Sequence, residues 1–262
     1  AGIAGISAAY HLAVQRDYRE IILVDERPPL SLTSDKSTEC YRNWWPGPGG
    51  AMVALMNRSI DLLEQLALQT GNLFNLSRRG YLYLSAESDR IPELQAQAQA
   101  ISQLGAGPLR IHRRGSQDPA YQPASPEGFT SEPTGADLIL DRDLLRRHFP
   151  YISPQAAAAL HVRRAGWFSA QQLGAYLLAQ ARARGVQLLR AAVRDVDVRQ
   201  GRVAAVQLDN GQRISTHRFV NAGGPMLGQV AQMLGVELPV YNELHLKVAF
   251  KDFRSVIPRN AP

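Results

Sequence analysis

Ala1-Gly2-Ile3-Ala4-Gly5-Ile6-Ser7-Ala8-Ala9-Tyr10-His11-Leu12-Ala13 opens the chain, and Ile21-Ile22-Leu23-Val24-Asp25-Glu26 follows shortly after. Small residues lead into Ile6, Ala9, Tyr10 and Ala13 at helical spacing, so a glycine turn runs into a helix. The apolar run has the length of a buried parallel strand and ends on an acid. Without Cβ atoms at Gly2 and Gly5, the backbone can approach a pyrophosphate and the helix can pack on its strand. The helix start then offers unpaired N–H groups and a positive dipole end to phosphates. Asp25, twenty residues past Gly5, is placed to accept hydrogen bonds from both ribose hydroxyls and to repel a 2′-phosphate. Glu26 is the alternative acid. A simple turn at the glycines and a helix-cap or surface role for Asp25 are the competing readings.

Working outward, residues 28–38 read as a loop, and 52–68 as an amphipathic helix with Val53, Leu55, Met56, Ile60, Leu63, Leu66 and Ala67 at helical period. Residues 80–84 read as a strand and 91–104 as a second helix. A proline-rich stretch, 115–135, reads as a surface loop, and 141–148 as a short helix stopped by Pro150. A strong helix over 170–184 ends at Gly185, before a strand at 186–189. Residues 193–198 and 203–208 then alternate like a meander, turned at Asp209-Asn210-Gly211. Asn-Gly is a strong two-residue hairpin signal because both central positions need positive φ. The meander is expected to feed a parallel strand, 219–222, that breaks at Gly223-Gly224-Pro225. A further alternating run covers 244–250.

The 262 residues are 45% hydrophobic and 20% charged, an ordinary globular composition, and no apolar run reaches the roughly 18 residues of a membrane helix. Cys40 is the single cysteine, which excludes an internal disulfide framework and a cysteine-based zinc cluster and makes the cytoplasm the expected compartment. The net charge of +6 comes mostly from arginines scattered as Arg78-Arg79, Arg113-Arg114, Arg146-Arg147 and Arg163-Arg164. With no aromatic platform between them, they read as a solvated surface rather than a nucleic-acid site. The chain opens inside the glycine turn and closes without a completed element, so it reads as a fragment lacking both ends.

In four stretches the sequence resembles the glycine/D-amino-acid oxidase (DAO) family of FAD-dependent oxidoreductases, near sarcosine and dimethylglycine dehydrogenases. Residues 2–13 resemble the family's opening helix. Val24-Asp25-Glu26-Arg27 with Thr33-Ser34 is similar to its acid-ended second strand and the Thr-Ser that approaches the flavin. Gly166-Trp167-Phe168-Ser169 is similar to its return to the cofactor domain, and Asn221-Ala222-Gly223-Gly224-Pro225 to its Asn-Ala-Ala-Gly-Pro signature. The resemblance implies an α/β fold: a Rossmann-like FAD-binding domain, with a parallel sheet and a three-stranded β-meander crossover, plus an inserted α+β substrate domain. The expected division is 1–80 and 161–235 for FAD, 81–160 for substrate, and 236–262 as the start of a returning substrate segment.

Carried over residue by residue, the resemblance implies cofactor contacts from Gly2, Ile3, Gly5 and Ile6 at the pyrophosphate. It implies contacts from Asp25, Glu26 and Arg27 around the adenosine ribose, and from Thr33, Ser34, Ser37 and Thr38 along the ribityl chain and flavin. Val193 would serve the adenine, and Ala222 and Gly223 the pyrophosphate. Asp35-Lys36 stands where the family has small residues. Cys40 sits about where some members place a flavin-linking histidine, or is a small half-buried hydrophobe. Trp44 and Trp45 either wall the pocket or pack the loop.

The implied reaction oxidises a C–N bond of an amino acid or N-methyl amine by hydride transfer to flavin N5. The product is an imine, and the electron acceptor is oxygen or an electron-transfer protein. No catalytic triad is expected. A substrate carboxylate needs a cation, for which Arg42, His245 and Lys247 are candidates, each against a structural role. Two other readings compete: a nicotinamide-dependent dehydrogenase, and a family member that modifies tRNA or serves as an assembly factor.

Overall fold

The structure, a computed structural model, describes residues 1–259 and 261–262; position 260 of the expected returning segment therefore lies outside the described residues. The helices are α1 (Ile3–Tyr10), α2 (Thr33–Lys36), α3 (Ala51–Gln69), α4 (Ile91–Ile101), α5 (Arg142–His148), α6 (Ala170–Ala183) and α7 (Leu227–Gln232). The strands are β1 (Ile22–Val24), β2 (Cys40–Arg42), β3 (Tyr81–Ser85), β4 (Leu109–His112), β5 (Ala136–Ile139) and β6 (Ala158–Val162). They continue as β7 (Ala165–Trp167), β8 (Gln187–Leu189), β9 (Val193–Arg199), β10 (Arg202–Leu208) and β11 (Arg213–Ser215). Among the described residues, no helix is long and apolar enough to cross a membrane.

By contacts the chain forms two compact units: Ala1–Thr38 with Ala170–Val248, and Glu39–Ser169 with Ala249–Pro262. These borders lie at 38/39, 169/170 and 248/249, whereas the sequence reading divides at 80/81, 160/161 and 235/236. Strand pairing explains the difference. β2 pairs antiparallel with β7, Cys40 opposite Trp167 and Arg42 opposite Ala165, and Val53 of α3 shares a core with Ala136, Leu138 and Leu160. Segments before and after the four-stranded sheet are thereby drawn into the second unit.

In the first unit, β1 pairs in parallel with β8, Ile22 to Gln187 and Val24 to Leu189. A parallel pair needs a long crossover; here it is residues 25–186, ending with α6. α1 buries Gly5, Ile6, Ala9 and Tyr10, and α6 buries Leu173, Gly174, Leu177 and Ala181, the one-face stripes that the helical spacing requires. The meander forms in the order β11-β10-β9. Its foot packs Val24, Leu189 and Val193 with Ala191, Val206 and Leu208.

The expected strand 219–222 does not form, and neither it nor the alternating run 244–250 has regular strand pairing; Leu244 and Leu246 are 93% and 88% exposed. Alternation supplies one apolar face, but a strand exists only when a neighbour takes its backbone hydrogen bonds. Within 28–38, expected as loop, the single turn of α2 closes.

The second unit holds a four-stranded sheet, β3-β6-β5-β4, antiparallel except for β4 beside β5. Period-2 alternation divides its side chains. Ala136, Leu138, Leu160 and Val162 join Trp44, Val53, Ala98 and Ile101 in one core, so Trp44 is a packing residue. On the opposite face, Ile139 and Ala159 pack with Leu145 and Phe149. α5 begins where the Asp141 side chain accepts the Asp143 N–H at 2.9 Å, a standard N-cap.

That second face also buries charge. Asp137, 2% exposed, accepts from Arg110 Nε at 2.7 Å and NH2 at 2.9 Å, and lies 2.9 Å from His112 Nε2. Arg163 NH1 lies 3.6 Å from Asp137 and NH2 3.4 Å from Glu132. Burial and the Arg163 charge push His161 down to about 3, so it is a neutral imidazole. Its Nε2 sits 2.9 Å from the Arg79 carbonyl, which makes Nε2–H the donor. Nδ1 is therefore the acceptor, with its one lone pair facing Arg163 NH1 and Tyr121 Oη, each 2.9 Å away. Gly80 makes room: at φ +97 an added Cβ would stand 2.0 Å from His161 Nε2.

Burial raises the Asp137 pKa, but hydrogen bonds from His112 and Arg110 outweigh it, so the carboxyl titrates well below the usual carboxylate range. The unfolded chain binds that proton near pH 3.9 and the folded one only lower, so the stabilisation is complete above about pH 5 and fades as pH falls. Asp137→Asn removes the carboxylate that Arg110, His112 and Arg163 share in the interior and is expected to cost about 3 kcal/mol at pH 7. Urea unfolding at pH 7 and pH 3 checks this; the gap from wild type should narrow at pH 3, and a gap independent of pH refutes the assignment.

Candidate functional site

The first four N–H groups of a helix have no intrahelical acceptor. In α1 Gly2 occupies the N-cap with extended backbone and offers no side chain. The Ile3 N–H donates instead to Ser34 Oγ at 2.9 Å, which fixes α2 against the opening turn. A Cβ at Gly2 would lie 3.4 Å from Ser34 Oγ. Gly5 faces the other way: it is buried, and an added Cβ would lie 3.4 Å from Ala222 Cβ and 3.8 Å from Leu23 Cδ2. α1 thus faces β1 and the segment after the meander at Gly5, with room there for about one methyl group. Ile6 is fully buried behind it.

Asp25 follows β1 and is held at both ends of its peptide: its N–H donates to the Leu189 carbonyl at 3.1 Å, and its carbonyl accepts from Ala191 at 3.2 Å. Carboxylate Oδ1 accepts the Arg27 N–H at 2.9 Å, and Oδ2 faces the Ala1 nitrogen. The carboxylate therefore stands at the opening turn of α1 with 28% of its side chain exposed. Each oxygen has two lone pairs, so capacity remains for two hydroxyl donors. Glu26 and Arg27 are exposed and lie 3.6 Å apart.

Val193 starts β9 beside Val24, the residue before Asp25. Ala222 touches α1 at Gly5, and Gly223 follows in a turn closed by Asn221, whose Oδ1 accepts the Gly223 N–H at 3.2 Å and whose Nδ2 donates to the Leu227 carbonyl at 2.9 Å. Thr33 and Ser34 lie in α2, with Ser37 and Thr38 just beyond. Lys247 Nζ donates to the Ser37 carbonyl at 2.8 Å and reaches the Asp35 carbonyl at 3.4 Å. In the first unit Gly2, Ile3, Ser34 and the Asp25 carboxylate thus meet around the start of α1. Sequence reasoning passed over Gln171. Its Nε2 donates to the Leu30 carbonyl at 3.1 Å and to Asp35 Oδ1 at 3.3 Å, and no local signal separates it from a surface glutamine.

The remaining candidates stand elsewhere. His245 is exposed, its Nε2 3.3 Å from Glu243. Arg42 belongs to the second unit, with its guanidinium carbon 4.1 Å from the Trp45 ring centre and 5.2 Å from that of Tyr81. Its Nε is buried without a hydrogen-bond partner. Cys40, also in β2, is exposed.

The donors at the α1 start fit a pyrophosphate, and the carboxylate beside it fits a ribose diol. L-proline dehydrogenase from P. horikoshii superposes with a TM-score of 0.69 at 18% identity, over 90% of this chain and 54% of that one. Glycine oxidase from Geobacillus kaustophilus gives 0.70 at 17%, over 92% and 58%. Iminodiacetate oxidase from Chelativorans sp. BNC1 gives 0.65 at 22%, over 90% and 57%. The chain thus spans little more than half the length of each, and at these identities the likeness shows the fold. No curated protein sequence matches this one. The family described as FAD dependent oxidoreductase, DAO, matches residues 1–256, and the chain belongs to that family.

Proposed function

We propose that the chain is the FAD-holding part of an oxidoreductase that oxidises the C–N bond of an amino acid or N-methyl amine. The observation that carries this reading is the Asp25 carboxylate at the first turn of α1, in a chain matched by the FAD-dependent family along residues 1–256. Bound there, FAD would supply the hydride acceptor, and the substrate would leave as an imine that water hydrolyses.

The chain's own residues have simpler tasks. The N–H groups of α1 beyond the one that Ser34 accepts would bind the pyrophosphate, helped by the helix dipole. Asp25 would accept from the ribose hydroxyls. Gly223, in the Asn221 turn, would let the backbone pass close to the phosphates. For a substrate carboxylate, Arg42 is favoured over His245 and Lys247. Its plane is held against Trp45, and its buried Nε lacks an acceptor, whereas the other two cations already face Glu243 and backbone carbonyls.

The nicotinamide reading is separated from this one by the purified full-length protein: absorption near 450 nm supports a flavoprotein. Asp25→Ala removes two charge-assisted hydrogen bonds and should weaken FAD binding by at least about tenfold, as measured by titrating flavin into the apoprotein; equal affinity would reject the ribose role. Arg42→Met should raise KM for carboxylate-bearing amines by about thirtyfold or more while leaving flavin content unchanged. An unchanged KM would move the carboxylate site elsewhere.

A further inference from the structure

α2 is a single turn, Thr33–Lys36, too short to be stable alone. Three anchors hold it. Ser34 Oγ accepts from Ile3 at 2.9 Å, Gln171 Nε2 reaches Asp35 Oδ1 at 3.3 Å, and Lys247 Nζ binds the Ser37 and Asp35 carbonyls at 2.8 and 3.4 Å. The last anchor is physically distinct. Carbonyls at the end of a helix have no intrahelical donor, and a cation there satisfies them while meeting the negative end of the turn. Lys247 is therefore a C-terminal cap supplied from 210 residues away.

The segment that carries it has no core of its own. Tyr241, Leu244, Leu246 and Val248 are 78–93% exposed, so apolar burial does not locate it. Polar contacts do: Asn242 Nδ2 donates to the Pro225 carbonyl at 2.8 Å, two residues past Gly223, and Lys247 closes on the loop after α2. One strap thus ties together the Gly223 turn and α2, both of which border the start of α1.

We infer that Lys247 is a positioning residue for the nucleotide site: by capping α2 it keeps Ser34 Oγ on the Ile3 N–H and couples cofactor retention to the 242–247 strap. The inference rests on the FAD reading above for its consequence, though not for the clamp itself. It also gives Lys247 a different task from binding a substrate carboxylate, since its ammonium is turned to backbone carbonyls.

The test uses the full-length protein as wild type, Lys247→Met, Lys247→Arg and, as a charge-matched control, Lys251→Met. Amide hydrogen exchange across residues 33–38 is measured without flavin, and FAD affinity by fluorescence quenching on titration into apoprotein. Lys247→Met should speed exchange in that segment about tenfold and raise the FAD Kd about tenfold. Lys247→Arg, which can still donate to both carbonyls, should recover most of each, and Lys251→Met should match wild type. Unchanged exchange in Lys247→Met overturns the clamp, as does an equal effect from Lys251→Met. Faster exchange with unchanged FAD Kd overturns the coupling. Wild type that takes up no FAD defeats the functional reading instead, while the exchange measurement still judges the clamp.

Discussion

The first turn of α1 has donors that its own helix cannot satisfy, and the first unit is arranged around that requirement. Ser34 satisfies one donor from outside the helix. Gly2 presents no side chain, which leaves the others accessible to an anion. Gly5 acts on the inner side, where contact with Ala222 and Leu23 sets α1 close to β1 and to the chain leaving the meander. Asp25 then stands beside the donors because its backbone is tied to Leu189 and Ala191. A typical hydrogen bond contributes only about 1 kcal/mol net. The placement of the site is therefore the sum of several weak ties, and α2, Gln171 and Lys247 belong to it as much as the glycines.

The second unit meets a different problem with a sheet covered on both faces. One face has an apolar core, and the other places Asp137, His112, His161 and Arg163 in the interior beside Ile139 and Ala159. Such buried ions are costly to desolvate and tolerable only when every partner is present. The arrangement specifies which residues must meet rather than adding much to stability. Arg42 repeats the theme more mildly: aromatic stacking fixes its plane and leaves Nε unanswered. A guanidinium ordered in advance loses less freedom on binding a planar anion than a free one would.

Much of this was legible from local signals. α1, α3 and α6 follow from apolar spacing, the β9–β10–β11 meander from alternation and Asn210-Gly211, and α5 from Asp141 and Pro150. Asp25 was legible as a candidate because strand end, acid and glycine turn recur at a fixed spacing. Residues 219–222 and 244–250 carried the same kind of strand signal and formed no strand, since alternation cannot state whether a partner is present. The borders of the compact units depend on contacts such as the pairing of Cys40 with Trp167, which is invisible to a reading along the chain.

By itself the amino-acid sequence determined α1, α3, α4, α5 and α6, the hairpin turn and the glycine-led helix start, because each depends on residues within one or two turns of one another. Tertiary structure alone decided that Ser34 caps Ile3, that Gln171 and Lys247 hold the turn carrying Ser34, and that Asp137 meets Arg110, His112 and Arg163. Those contacts join side chains tens to hundreds of residues apart. Their strength depends on burial and geometry, which arise only once the chain has closed on itself.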